Sequence, residues 1–390
     1  MHTLISLPLT LGSDRSLDIL QKPKSGGLFR TVPFLPTAFR SGALHIQQVP
    51  AGAPAVLDIC ATKKYSYKFT NDIINERQSI VIHTSSWEPV QIYLRWPKDA
   101  GLDRLQVVTA EYSIKSDIAM PSVPGGATHL SPADVDFVPA RELFLSSRSG
   151  AITGLFPSHD VLDVFSSSGS TSLTLLPLFD KPSHAGKVVV RSNSGTLNIN
   201  GKLDADAAAS RVHFPSRNSS VTIITTSGSI RAVLGLTKSV TIRSSSGSQN
   251  ITALLSDHSH DRRSDFVTAS SSGTQSITVV SAAQLDKTES SAVEKTDGTG
   301  FVCKHSNRSG SVRIAYPGEW EGTVEAHSYS GSISVTGEGV DMDRAHHRVT
   351  GVKGTPEHHT DVGTSSGSIS VNFGSNAASD MQKTISGKKE

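Results

Sequence analysis

One dipeptide, Ser-Gly, recurs along this chain in a constant setting, and that setting leaves few folds open. Nine copies turn at Gly150, Gly169, Gly195, Gly228, Gly247, Gly273, Gly310, Gly331 and Gly367. A β-branched run precedes each copy, and alternating apolar and polar residues follow it. Two clear copies read Ser220-Val-Thr-Ile-Ile-Thr-Thr-Ser-Gly-Ser-Ile230 and Thr323-Val-Glu-Ala-His-Ser-Tyr-Ser-Gly-Ser-Ile-Ser-Val335. The pairs Leu197/Ile199, Val312/Ile314, Ile333/Val335 and Ile369/Val371 are spaced by two, which marks one buried face of a strand. The copies at Gly169, Gly247 and Gly273 place their first apolar residue two positions later, at Leu173, Ile251 and Ile277. A shift of two keeps the inward face, whereas a shift of one would invert it.

A single coil of this kind cannot bury its own apolar face, so neighbouring coils must supply the core. The chain is therefore expected to be all-β, with a β-solenoid resembling a single-stranded β-helix over residues 143–373. The alternative is a set of antiparallel β-sandwiches with Ser-Gly as the hairpin turn. Two-residue hairpins favour Asn-Gly or Asp-Gly, which ranks stacked coils first. At the corner, glycine reaches positive φ without a Cβ clash, and the preceding Ser, Thr or Asn can bond backbone groups left unpaired at the bend. Spacing between corners runs from 19 residues (Gly150 to Gly169) to 37 (Gly273 to Gly310), so the longer gaps hold inserts. Residues 257–264, 284–299 and 340–361 are polar, lack strand periodicity and read as projecting loops, with a short helix possible over 282–295.

The first third reads differently. Residues 1–50 carry Pro8, Pro23, Pro33, Pro36 and Pro50 with weak periodicity, and are expected to form an irregular, partly disordered lead-in. Strand-like runs at 56–60, 79–83, 90–96 and 105–109 then predict a smaller β module over 51–120 that caps the array. It holds Tyr65, Tyr67, Trp87, Tyr93, Trp96 and Tyr112. Residues 121–142 read as a linker and 374–390 as a disordered tail.

Composition narrows the function classes. The 390 residues are 36% hydrophobic, enough for a sizeable core, and the formal charge of +2 is the difference between 37 basic and 35 acidic side chains. No basic block stands out, so nucleic acid is not an expected partner. Cys60 and Cys303 fit no metal or redox spacing and read as two buried thiols. The N-terminal run has neither a basic flank nor a small-residue cleavage site, no apolar stretch reaches membrane-spanning length, and the C-terminus lacks a hydrophobic anchor signal. These features favour a cytoplasmic location, with a secreted or cell-surface one as the alternative.

The pattern Ser-Ser-Gly-Ser-Ile-x-Val behind Val-x-Ile runs resembles the "putative adhesin" family of β-solenoid domains, a group of unknown function found in bacteria and fungi. The resemblance covers about residues 143–373 and rests on the nine Ser-Gly corners with their flanking strands. It implies a solenoid fold and a binding role, and the long inserts resemble fungal members.

Catalytic signatures are missing. There is no Gly-x-Ser-x-Gly elbow, dinucleotide fingerprint or phosphate loop. A carbohydrate-cleaving site needs paired carboxylates. Asp160 and Asp163 flank one coil, while Asp204 and Asp206 sit in a loop, and all four read as solvated surface. The groups His258/His260/Asp261, His346/His347 and His358/His359/Asp361 combine imidazole and carboxylate but match no zinc spacing. The sequons at Asn218, Asn250 and Asn307 are chance matches in so serine-rich a chain. No catalytic, cofactor or metal residue is assigned, and the nine corner glycines are singled out as structural. The expected function is a non-enzymatic, adhesin-like binding or scaffold surface for a protein or glycan. The rival is a carbohydrate-active enzyme sited between the solenoid and its inserts, which would require convergence of Asp160, Asp163, Asp261, Asp341, Asp343 and His359. Partner identity and oligomeric state have no readable motif.

Overall fold

The computed structural model of the chain describes residues 3–10, 15–23, 42–61, 67–74, 77–84, 89–98, 100–117, 140–177, 186–201, 219–236, 238–255, 264–281 and 300–374. All regular structure among them is strand. No helix there is long and apolar enough to cross a membrane. The segments 257–263 and 282–299, including the expected short helix, lie outside the described residues, as do 121–139 of the expected linker over 121–142, whose last residues open a strand at Ala140, and 375–390 of the expected tail. The chain divides into two compact units, the first ending at Gly195 and the second beginning, apart from short stretches, at Thr196.

In the first unit the strands are β1 (Thr3–Pro8), β2 (Ser16–Pro23), β3 (Ala43–Val49), β4 (Val56–Ala61) and β5 (Tyr67–Ile74). They continue as β6 (Arg77–Thr84), β7 (Val90–Pro97), β8 (Leu102–Thr109), β9 (Ser113–Ser116) and β10 (Ala140–Ser147). β11 (Ile152–Ser158), β12 (Val161–Ser166), β13 (Thr171–Pro177) and β14 (Lys187–Ser192) complete it. One sheet runs β1-β4-β7-β3-β9-β11-β13, the other β5-β6-β2-β8-β10-β12-β14. Two expectations are corrected here. The lead-in over 1–50 contains three strands, because Leu17, Ile19, Leu44 and Ile46 are buried apolar positions at period two. The coil pattern also starts well before residue 143, since Leu105 pairs with both Leu17 and Leu143, and Val107 with Ile19 and Leu145, in parallel register. Antiparallel pairing is found at β1/β4, β4/β7 and β5/β6.

The second unit comprises β15 (Leu197–Gly201), β16 (Ser220–Thr225), β17 (Ile230–Leu236), β18 (Ser239–Ser246) and β19 (Gln249–Leu255). Then come β20 (Ser264–Ser272), β21 (Gln275–Ser281), β22 (Phe301–Ser309), β23 (Val312–Tyr316) and β24 (Gly322–Ser328). The last are β25 (Ile333–Gly337), β26 (Val340–Ala345), β27 (Arg348–Lys353), β28 (His358–Ser366) and β29 (Ile369–Phe373). One sheet runs β15-β17-β19-β21-β23-β29-β25, the other β26-β27-β24-β28-β22-β20-β18-β16. Coil pairing is parallel throughout, which sets the sandwich alternative aside. The stretch 340–361, expected as a loop, forms the antiparallel hairpin β26/β27 and the start of β28. Its edge strand β26 exposes Asp341, Asp343 and Arg344, charges that discourage a further strand from adding there.

The corners stack directly on one another. A Cβ placed on Gly169 would lie 2.1 Å from the Gly150 carbonyl oxygen, and one on Gly195 2.0 Å from that of Gly169. In the second unit the same contact links Gly247 to Gly228, Gly273 to Gly247, Gly310 to Gly273, Gly367 to Gly310 and Gly331 to Gly367, at 1.8–2.4 Å. Only Gly247, Gly273 and Gly310 among the corners have positive φ, so close backbone approach is the commoner reason for glycine. Three residues before each corner glycine stands a buried Ser, Thr or Asn, from Ser147 and Ser166 to Asn307, Ser328 and Thr364. Ser166 Oγ donates to the Gly169 carbonyl at 2.8 Å, and Thr225 and Ser328 accept from the amides of Gly228 and Gly331 at 3.0 and 2.8 Å. Thr109 bonds the Tyr112 carbonyl in the same way at 2.6 Å, and Gly150 stacks on it, so a further corner exists without Ser-Gly.

The copies with a later first apolar residue are not shifted. Gln249 pairs with Ile230 and Gln275 pairs with Val312, so the first inward position is occupied by a polar side chain that is buried. The facing sheet has matching interruptions, Thr268 and His305, in a row otherwise made of Ile223, Ile242, Val362 and Ala326. The four satisfy one another in part. Thr268 Oγ1 lies 3.2 Å from Gln275 Oε1 and 2.9 Å from His305 Nδ1, Gln275 Nε2 donates to the Ser306 carbonyl at 2.9 Å, and Gln249 Nε2 donates to that of Ala269 at 2.8 Å. Burial lowers the His305 pKa to about 3, so its ring is neutral inside the core.

A candidate binding groove on the second unit

Chain order and spatial order part company at the end of the array. β28 lies between β22 and β24, and β29 between β23 and β25, so the last coil in sequence is inserted below the coil that precedes it. This brings the outward residues Ser306, Gly363 and His327 into one row, and Lys304, Asp361 and Glu325 into the next.

A groove of about 710 Å³ runs over these rows, with Val267, Lys304, Ser306, Tyr329, Asp361 and Gly363 among its lining residues. Gly363 has no side chain to obstruct the neighbouring imidazole. A Cβ there would lie 2.5 Å from His327 Nε2. His327 Nδ1 is 3.5 Å from Asp361 Oδ1, with both side chains about half exposed. At the other wall Tyr329, 80% exposed, stacks on His347 with ring centroids 5.9 Å apart and planes at 9°. His347 ends the two-residue loop of the β26/β27 hairpin with φ +67°, a left-handed conformation costly for a side chain with a Cβ. The amide of Ser328 donates to its carbonyl at 3.0 Å, and Arg348 pairs with Glu325 at 2.8 Å, fixing the hairpin beside β24.

The sequence-derived histidine groups are dispersed. His346 and His347 form the hairpin loop, and His359 bonds Thr323 Oγ1 at 2.9 Å. His358 packs against Trp320 and Phe301 near the stacked Tyr316 and Phe373 rings, where burial lowers its pKa. His258, His260, Asp261, Asp204 and Asp206 lie outside the described residues. No group of three His, Cys, Asp or Glu among the described residues is placed to hold a metal. Among the described residues the acids required by the enzymatic rival do not gather either. Asp160 pairs with Arg141 at 2.7 Å and Asp163 with Arg191 at 2.8 Å in the first unit. Asp341 and Asp343 sit on edge strand β26, separated from His359 by β27 and β24. Of the two thiols, Cys303 is buried and pushed up to about 11 by desolvation, whereas Cys60 is only half-buried. Asn307 of one sequon is buried, its amide donating to the Gly273 carbonyl at 2.7 Å.

Sequence reasoning missed Tyr329, His327, Lys304 and Gly363. One signal was available. The residue two places before the corner glycine is Ser167, Asn193, Thr226, Ser245, Ser271 or Ser365 in most copies, and Tyr329 alone is aromatic.

Fold and groove together define a β-solenoid that presents a shaped polar surface. The chain belongs to the Toastrack DUF4097 family, whose pattern it matches over residues 68–372. No curated protein matches the chain. Among solved structures it is similar to a putative cell adhesion protein from Clostridium sporogenes, with 6% identity over 96% of this chain and 100% of that one and a TM-score of 0.17. It is also similar to a putative adhesin from Parabacteroides distasonis, with 7% identity over 95% and 97% of the two chains and a TM-score of 0.21. The family match and the parallel strand pairing define the fold.

Proposed function

We propose that the chain is a non-enzymatic binding module whose ligand, a glycan or a protein segment, seats in the groove between β22, β28 and β24. The observation that carries this reading is the Tyr329/His347 ring pair lining one groove with Lys304, Asp361 and His327. An exposed flat ring offers a broad contact at little cost in conformational entropy, and the flanking charges fix orientation. Asp361 is the one carboxylate lining the groove among the described residues, whereas glycoside cleavage needs two, which favours binding over turnover.

The test is a glycan array together with affinity capture, run in parallel on the full chain and on Tyr329→Ala. A ligand retained by the parent and lost by the variant supports the groove. Blank results across conditions, or ligands indifferent to the variant, overturn it. An adhesin-like role also requires the chain at a surface. Localisation of a tagged full-length chain tests that, and cytosolic retention would redirect the reading to an internal scaffold.

A further inference from the structure

The opposite face of the second unit carries a regular array that the groove does not use. Across β15, β17, β19, β21, β23, β29 and β25, the outward residue two places after the corner region is Asn198, Arg231, Asn250, Ser276, Arg313, Ser370 and Ser334, aligned by the strand register. Two residues further on, the same strands present Asn200, Val233, Thr252, Thr278, Ala315, Asn372 and Thr336. One place before each strand's first inward residue a third row is hydroxyl throughout, from Thr196, Ser229 and Ser248 to Ser311, Ser368 and Ser332. These positions are exposed or half-exposed. With strands about 4.8 Å apart and alternate residues about 6.7 Å apart, the array spans about 29 Å by about 13 Å.

Its chemistry is narrow. The three rows hold hydroxyls, amides, Val233, Ala315 and two guanidinium groups, with no carboxylate and no aromatic ring. Arg231 and Arg313 lie three strand spacings apart, about 14 Å, and neither forms an ion pair with a described residue. From this we infer that the face binds a linear acidic polysaccharide, a polymer of hydroxyl-bearing sugars carrying carboxylates at intervals.

Each element of the array fits that ligand. Hydroxyl and amide groups both donate and accept, so they pair with sugar hydroxyls in any orientation. Guanidinium binds carboxylate through two parallel hydrogen bonds, and the absence of acids removes repulsion. Exposed hydrogen bonds contribute little singly because water competes for them, so affinity must accumulate along the polymer. A protein partner would want a large apolar or aromatic anchor, and the three rows offer only Val233 and Ala315. Nucleic acid would want more cations and stacking rings.

The test uses the full chain with polygalacturonate as probe, by affinity electrophoresis and by titration with fragments of increasing length. Parallel arms contain the fully methyl-esterified polymer and double-stranded DNA. Polygalacturonate is expected to bind with affinity that rises with chain length and falls with salt, and the esterified polymer at least tenfold more weakly. The double variant Arg231→Glu/Arg313→Glu should lose tenfold or more, with its melting temperature unchanged, and Thr278→Glu at the centre should weaken binding severalfold. No retardation of polygalacturonate, equal binding of the esterified form, or indifference to both variants overturns the proposal, as does tighter Arg-dependent binding of DNA. Tyr329→Ala should leave this binding intact. The groove and the array therefore fail independently.

Discussion

In the second unit, the outer face of the sheet from β15 to β25 repeats itself, while the outer face of the sheet from β26 to β16 does not. The first gives most coils short hydroxyl and amide side chains at aligned positions, interrupted by Arg231, Val233, Arg313 and Ala315. The second departs from its own pattern in neighbouring strands, with Tyr329 where most other coils carry small polar residues, Gly363 in mid-strand, and a hairpin folded alongside. Repetition supplies area and many weak equivalent contacts. Departure supplies a shaped pocket beside an exposed ring pair. The same stacked core supports both faces, because inward positions keep period two regardless of what faces solvent.

The comparison can be broken most severely through the support the faces share. Gly273→Ala puts a Cβ 2.4 Å from the Gly247 carbonyl oxygen at φ +114°, and should cost about 3 kcal/mol or more in urea unfolding, weakening both faces together. Loss of one face alone would mean that the two are not held by one core.

Acid is the next largest perturbation. The folded His305 pKa of about 3 lies below the 6.5 of the unfolded chain, so between those values the unfolded chain holds the extra proton. Stability is full above pH 6.5 and falls as pH drops, by about 2 kcal/mol at pH 5. His358, also lowered by burial, adds in the same direction. Chemical denaturation across this range should show a steeper decline for the parent than for His305→Gln. Identical slopes would place His305 in water.

Thr268→Val is isosteric and removes the hydroxyl shared by Gln275 and His305. It should cost about 1–2 kcal/mol, measured in the same way. The smallest effects on stability belong to the groove. Gly363→Ala displaces the His327 ring, and should change stability by less than about 1 kcal/mol while abolishing groove binding and sparing the flat face. His347→Gly relieves the left-handed loop residue and should gain up to about 1 kcal/mol, yet weaken the groove by removing the ring under Tyr329.

Much of the fold was legible because period two and the corner dipeptide are local signals. They marked the strands around Gly228, Gly310 and Gly331 and the single buried face of each. The strands at Thr3–Pro8, Ser16–Pro23 and Ala43–Val49 were obscured by nearby prolines, since composition averages over positions that strand pairing distinguishes. Gln249 and Gln275 read as a two-residue delay because a polar side chain looks outward until its buried partners Ala269, Thr268 and Ser306 are known. The corner at Tyr112 was hidden for a related reason, its signal being the buried Thr109 rather than a glycine.

By itself the sequence determined that the chain is all-β, that its coils turn on small residues, and which side chains point inward, since these follow from backbone sterics and alternation within a few residues. Only the tertiary structure decided which coil lies on which. Loop-closure cost rises slowly with length, so sequence separation exerts little hold over the order of coils. The chain could place Gly367 between Gly310 and Gly331, and that insertion sets Asp361 and Gly363 between Lys304, Ser306 and His327.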